Sequence, residues 1–432
     1  MKNIVLGAGI TGLSAAYMLK DVVVYEKDAE IGGLAKTIRF DGFSFDLGGH
    51  RFFTGKEKIA NFVKELMGDE LLEVNRVSKI YKDGRFLDYP LSATVLLSNN
   101  PFRLLKILIS YLIRKKKPLE EYSFREYIIN HFGDELYSYY FQGYTEKILG
   151  ISCGRISKEW ANARIPNLSL KRVIKHALFK NEAVKSFTDK FLYPRKGIGT
   201  ICAKLAQGLN IELNSEVTGL NYSQDAINSV IVDGREIECR NLISTIPLTN
   251  LIKMFNPPQS VSEAAERLSW RDLICIFLVV GRKKATSAHW IYFPGEEVFG
   301  RLHEPKNWSP LMAPVEKTGV CLEIFCNKGD NFWKSSDEAL IGMVKKSLVL
   351  FKDDEIEDYV IKRIENAYPI YRVDFQKNVS MIMDYLARYK NLYLAGRTGT
   401  FKYLNMDDCI EEGMKVSLAI NNQERRQNGL TD

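Results

Sequence analysis

"KNIVLGAGITGLSAAYML", Lys2 to Leu19, reads as a short buried strand over Asn3–Leu6, a glycine-rich turn, and a helix running to Leu19. In the spacing Gly7-x-Gly9-x-x-Gly12 each glycine serves a separate purpose. Gly7 makes the tight turn, Gly9 lets backbone approach a pyrophosphate, and Gly12 lets the helix pack closely. The helix N-terminus then offers unpaired N–H groups and a positive dipole end to phosphate. A second strand, "DVVVYE", follows at once and ends in Glu26, placed to accept from a ribose 2′-hydroxyl. An acidic residue there favours adenosine over its 2′-phosphate, so the ligand is expected to be FAD or NAD rather than NADP.

The next run, "KDAEIGGLAKTIRFDGFSFDLGGHRFF", makes a second close backbone approach at Gly32 and Gly33 and a hairpin around Asp41-Gly42. It resembles the two-dinucleotide-binding-domain flavoproteins, in which the second glycine pair and the "FDLGGH" turn, with Gly49, lie against the flavin. That resemblance implies FAD.

At 432 residues the chain is longer than one hydrophobic core usually grows, so two lobes with a ligand site between them are expected. Its 46% hydrophobic and 26% charged residues are those of an ordinary soluble protein. Nothing after Met1 looks like a signal peptide. The seven cysteines are scattered, with no CxxC pair and no histidine at zinc spacing, which points to a reducing compartment, a cytoplasmic location and no metal.

The net charge of +7 gathers mid-chain, and a nucleic-acid partner is not expected. In "PFRLLKILISYLIRKKKP" an apolar run from Leu104 to Ile113 ends in Arg114, Lys115, Lys116 and Lys117, too short for a bilayer span of about 20 residues. The simpler expectation is a core-packed helix with a solvated end. The alternative is a basic amphipathic helix over Leu104–Lys117 that makes peripheral contact with anionic lipid.

The rest of the chain leaves the dinucleotide fold twice and returns. Residues 76–191 follow the hairpin "KIYKDGRFLDY" with a helix-rich, aromatic stretch suited to a cap over substrate. Residues 192–250 come back through a Gly197-x-Gly199 turn and period-two strands to a buried strand ending in "STIP". Residues 251–386 hold "LICIFLVVG", "HWIYFPG" and "GVCLEIFC", consistent with an antiparallel sheet. Residues 387–432 close with a strand, a Gly-Arg turn and a helix. The expected fold is therefore α/β: a discontinuous, Rossmann-like FAD-binding domain (1–75, 192–250 and 387–432) with an inserted substrate domain of antiparallel sheet (251–386) and helices (76–191). By the flavoprotein resemblance, backbone near Val217 meets the adenine.

Four further stretches, "GGHRFFT", "YYFQGYTEKILG", "FGRLHEPKNW" and "GRTGTFKYLNMD", resemble in order the corresponding parts of UDP-galactopyranose mutases, and also flavoproteins related to protoporphyrinogen oxidase and amine oxidase. The resemblance implies that Tyr140, Phe141 and Tyr144 lie along the nucleotide and that Arg301 and Tyr403 hold the diphosphate. It also implies Tyr368 near the substrate, His50 beside the isoalloxazine, and Arg397 and Met406 against FAD. The chemistry agrees: a pyrophosphate suits a forked guanidinium and hydroxyl donors, and a pyrimidine suits an aromatic face. Taken singly, such aromatic residues are more often core, and an arginine is more often solvated or salt-bridged.

The mutase resemblance implies a redox-neutral reaction in surface polysaccharide synthesis: reduced flavin N5 attacks the anomeric carbon, UDP leaves, and the sugar recloses with a different ring size. The chain departs from the mutase pattern at Leu149, where those proteins have tryptophan, at Asn167-Leu168 in place of an arginine, at Asn405 in place of aspartate, and at Phe53 in place of a second histidine. The alternative is an oxidase or dehydrogenase of the amine oxidase or protoporphyrinogen oxidase type. A lysine beside the flavin would mark an amine oxidase, with Lys196, Lys306 and Lys402 as candidates. No Ser/His/Asp or Cys/His constellation stands out, so the hard chemistry belongs to the cofactor.

Overall fold

The computed structural model describes residues 1–89, 101–114, 122–164 and 190–427. Strand Lys2–Leu6 lies in the middle of a parallel arrangement. Val22–Tyr25 and then Asn210–Glu212 lie on one side, the end of Arg235–Ser244 and then Leu392–Leu394 on the other. Its apolar residues Ile4 to Leu6 are buried on both faces, as a strand covered by helices on either side requires. Strands Val217–Tyr222 and Ile227–Val232 continue from the first half of Arg235–Ser244 as an antiparallel extension. Helix Ile10–Tyr17 packs on the C-terminal helix Met406–Gln427, where the Ser417 hydroxyl donates to the Ala15 carbonyl at 2.7 Å. A Cβ at Gly12 would lie 2.0 Å from the Gly7 carbonyl oxygen, so no other residue allows the helix to leave the turn this closely. One nucleotide-binding sheet is thus assembled from stretches hundreds of residues apart.

The second sheet runs in the order Ile356–Ile370, Ser269–Val280, Thr318–Cys326, Arg301–His303, Trp290–Tyr292, Ser78–Lys82, Arg85–Tyr89. The hairpin that opens the 76–191 stretch therefore forms the outer two strands of this sheet. Its turn residues Asp83 and Gly84 both have positive φ, 52° and 76°, as a two-residue hairpin turn demands. Period-two alternation divides the sheet into two faces. Ile274, Ile276, Ile291, Leu302, Leu322 and Ile324 point one way and form a core with helix Asp337–Ser347. Leu273, Trp290, Tyr292, Arg301, His303 and Glu323 point the other way, toward the nucleotide-binding sheet. The inserted sheet thus turns a polar, aromatic face to the cofactor domain.

Among the helices, Phe124–Phe132 starts at a Ser123–Glu126 capping box, and a π-helical turn, Tyr137–Gln142, leads into Gly143–Leu149. Helix Pro101–Ile113 packs on the core along one side and leaves large aliphatic residues exposed along the other. Ile107 is buried, but Leu105, Ile109, Leu112 and Ile113 are 54%, 47%, 78% and 74% exposed. Lys115–Lys117, Ile165–Leu168 and the rest of 165–189 lie outside the described residues. No described helix is long and apolar enough to cross a membrane. All seven cysteines are buried and unpaired, and the described residues contain no cluster of three or more groups able to hold a metal ion.

Candidate active site

A cleft of about 610 Å³ opens between the two sheets. Gly7, Gly9, Glu26, Gly32, Gly33, Val217, Arg397 and Met406 all line it. Helix Ile10–Tyr17 begins at Gly9 with no side-chain cap, leaving its first N–H groups for a ligand. A Cβ at Gly9 would meet only Gly33 Cα, at 4.0 Å, so this backbone is open to close approach. The Glu26 carboxylate is fixed at the far end by the N–H groups of Ala8 at 2.7 Å and Asp28 at 3.0 Å. A dinucleotide with a flavin fits this donor set: pyrophosphate at the uncapped helix, ribose at Glu26. Gly12 lies beneath the turn, while Gly49 lines the adjoining cavity. A Cβ on Gly49 would sit 1.8 Å from the Trp290 ring, so glycine is what lets the indole close over this turn.

That adjoining cavity, about 240 Å³, shares Leu34, Leu47, His50, Ile364, Arg397 and Met406 with the cleft as a common wall. Its wall carries Arg51, Arg76, Arg164, Lys190, Arg301 and Arg397, and among the described residues no aspartate or glutamate lines it. Trp290, Tyr292, Phe191, Tyr368 and Tyr403 also line it.

Arg301 is the most firmly held of these cations. It lies directly opposite Glu323 in the ladder, so the two side chains share a face, and Nη2 donates both to the Glu323 carboxylate and to the Tyr368 hydroxyl. The other Glu323 oxygen accepts from the Gly49 N–H at 3.1 Å. Burial works against the guanidinium charge, but Glu323 and Tyr368 outweigh it and hold Arg301 protonated far above its ordinary value. Its Nε is buried with no partner.

Arg397 donates to the Leu404 carbonyl at 2.9 and 2.6 Å and lies over the Tyr403 ring at 4.8 Å, with no ion pair to a carboxylate among the described residues. The Tyr403 hydroxyl accepts from Arg164, and its ring stacks on Tyr368 at 6.1 Å. Burial would raise the Tyr403 phenol; Arg164, Arg397 and Arg301 together bring it below its usual value. The preceding Phe401, at φ 52°, is strained for so bulky a residue and is locked by Trp270 at 4.7 Å, which turns Tyr403 into the site.

Two histidines stay neutral here. Burial, then the nearby Arg397, lowers His50 to about 4, and its Nδ1 has no partner. His303, wholly buried and stacked on Trp308 at 5.0 Å, is lowered further by burial and by Arg301, His50 and Arg51. Arg51 packs over Trp290 at 4.9 Å and Phe191 at 5.4 Å, and its Nη1 is buried with no partner. A buried guanidinium nitrogen lacking an acceptor costs free energy that an incoming anion would recover.

Of the residues singled out from sequence, His50, Arg301, Tyr368, Arg397, Tyr403 and Met406 meet around this cavity. Tyr144 stands one layer behind it, edge-on to Tyr292 at 5.2 Å with a buried, unpartnered hydroxyl. Tyr140 and Phe141, on the π-helical turn, pack against Tyr139 and Phe132 and line neither cavity. Lys196 and Lys402 are exposed, the Lys306 amine caps the carbonyls of Pro314, Val315 and Lys317, and none of the three lines either cavity. Sequence reasoning missed Arg51, Arg76, Arg164, Lys190, Trp290 and Glu323. The arginine directly after His50 was the one visible hint.

The family model for flavin-containing amine oxidoreductases matches residues 10–421. Coproporphyrinogen III oxidase of Staphylococcus aureus is 21% identical over 95% of this chain and 96% of its own. Among solved structures, a reduced UDP-galactopyranose mutase superposes with a TM-score of 0.84 at 21% identity, covering 98% of this chain and 96% of that one. Cyclohexylamine oxidase from Brevibacterium oxydans superposes with a TM-score of 0.70 at 14% identity, covering 98% and 99%. The structural likenesses establish a shared fold across enzymes of different chemistry. With the family model spanning nearly its whole length and the cleft suited to the cofactor, the chain belongs to the flavin-containing amine oxidoreductases and binds FAD.

Proposed function

We propose that this flavoenzyme acts on a nucleoside-diphosphate sugar, interconverting ring forms in the manner of UDP-galactopyranose mutase. The observation that carries this reading is the wall of five arginines and one lysine beside the flavin cleft, without a carboxylate on its surface among the described residues. Such a wall attracts and orients a diphosphate and repels a cationic amine.

When bound and reduced, FAD supplies a nucleophile for the sugar's anomeric carbon. Arg301, pinned by Glu323 and Tyr368, presents its guanidinium without reorganisation to charge that develops on a departing diphosphate. Arg397 and the Arg164–Tyr403 pair extend the same positive field. Trp290, Tyr292, Phe191 and Tyr368 offer ring faces and exclude water. Neutral His50, shared by cleft and cavity, offers a ring nitrogen for a hydrogen bond without adding charge.

Turnover provides the test. Dithionite-reduced protein incubated with UDP-galactose and other UDP-hexoses is expected to yield a ring isomer separable by chromatography, with no net consumption of oxygen and no product from oxidised protein. A second reading is supported by the same cations, which equally suit a polycarboxylate, and by the full-length likeness to coproporphyrinogen III oxidase. Stoichiometric oxygen uptake with coproporphyrinogen III, and no change in any UDP-hexose, would replace the first reading with the second.

A further inference from the structure

Helix Pro101–Ile113 is inside out. Its inner face buries Ile107 and is otherwise held to the body of the protein by polar contacts. The Arg103 guanidinium pairs with Asp83 at 3.3 Å, the Ser110 hydroxyl accepts from the Glu135 N–H at 3.1 Å, and Arg114, just past the end, donates to the Asn130 carbonyl at 3.0 Å. Its outer face is apolar. Leu105, Ile109, Leu112 and Ile113 fall on one side of the helix at spacings of four, three and one, and each is about half exposed or more. A stripe of large aliphatic residues turned to solvent on an anchored helix marks a surface that something covers.

We infer that this face docks on an anionic lipid surface, with the helix lying in the interface plane. Charge selects this occupant. Between Pro101 and Pro118 the sequence has six basic residues, Arg103, Lys106 and Arg114–Lys117, and no acidic one. Lys106 is exposed beside the stripe, and a second copy of the chain seated two-fold on it would bring two chains of this basic sequence together. A negatively charged membrane is attracted by the same basic sequence while taking up the aliphatic side chains. The helix, 13 residues and about 20 Å long, is too short to span the roughly 30 Å hydrocarbon core, so it rests on the surface.

The holoprotein is tested by flotation with vesicles of phosphatidylcholine alone or mixed with phosphatidylglycerol. Binding to the anionic vesicles is expected to exceed binding to the neutral ones by about tenfold or more, and to fall with added salt. The variant L112S/I113S should lose most of that binding while keeping its flavin spectrum and thermal midpoint, since both side chains are exposed. L105S, on the same stripe, should lose part of it. Equal recovery with both vesicle types, or unchanged anionic binding in the folded variants, overturns the proposal. So does a dimer in sedimentation velocity that L112S/I113S dissociates, which would assign the stripe to a second copy.

Discussion

Replacing Arg301 with methionine separates two consequences that a loss of activity alone would merge. Glu323 is wholly buried, and its carboxylate is balanced by Arg301, with one further hydrogen bond from the Gly49 N–H. R301M leaves that charge uncompensated, which in buried pairs costs about 3–5 kcal/mol of stability. The double variant R301M/E323Q keeps side-chain volume and removes both charges, so most of that loss should return. Ligand affinity should not return. If Arg301 makes a charge-assisted bond to the diphosphate, both variants should bind UDP more weakly by about 1.5–3 kcal/mol, roughly 10- to 150-fold. Denaturant unfolding followed by tyrosine and flavin fluorescence measures the first effect, and calorimetric titration with UDP the second. Wild-type UDP affinity in the folded double variant would refute the assignment of Arg301 to the substrate.

Three other outcomes follow from the same geometry. Arg51 is over aromatic rings and in no ion pair among the described residues, so R51Q should leave stability nearly unchanged while weakening diphosphate binding about tenfold or more. G12A forces a Cβ to 2.0 Å from the Gly7 carbonyl, and the purified variant should have lost most of its FAD, read from the flavin's visible absorption band; full flavin content would contradict the packing argument. Acid should work against the fold through its buried histidines. His50 and His289 are lowered to about 4, chiefly by burial, so the unfolded chain binds their protons first and stability falls as pH drops from about 6.5 to 4. Asp46, raised to about 6 by burial despite bonds from Tyr193 and Thr37, acts oppositely, gaining stability as pH falls toward 4. His303 acts with the two histidines, while Asp272 and Asp407, both raised by burial, act with Asp46. The stability of H50Q/H289Q relative to the wild type should therefore rise as pH falls from about 6.5 to 4, and a pH-independent difference would contradict this.

The cofactor half of the molecule was legible because its signals are local. Three glycines at fixed spacing, an acid at the end of the next strand and a second glycine pair each encode a backbone requirement that the fold then displays at Gly7, Gly12, Glu26 and Gly33. The substrate half was legible only in part. Arg51, Arg76, Arg164 and Lys190 come from four segments that nothing but tertiary structure brings together, so no spacing announces them. Glu323 was hidden differently, as a single acid in an apolar strand whose partner lies 22 residues earlier on the neighbouring strand. The sequence showed an apolar run over Leu104–Ile113 but not the side its exposed residues would face. The polar anchors Arg103, Ser110 and Arg114 decided that, and they turned it outward. Tyr140 and Phe141 show the converse, aromatic residues within a matching motif whose rings pack against neighbouring rings.

The central claim is that the cationic cavity beside the flavin receives a nucleoside diphosphate. Titrating the holoprotein with UDP and UDP-sugars, while following the flavin spectrum in oxidised and dithionite-reduced states, tests it most directly. Saturable perturbation of the flavin by these ligands, tighter in the reduced state, is the predicted result. No response to any nucleotide in either state, together with faster reoxidation of reduced flavin by oxygen when a polycarboxylate donor such as coproporphyrinogen III is present, would contradict it.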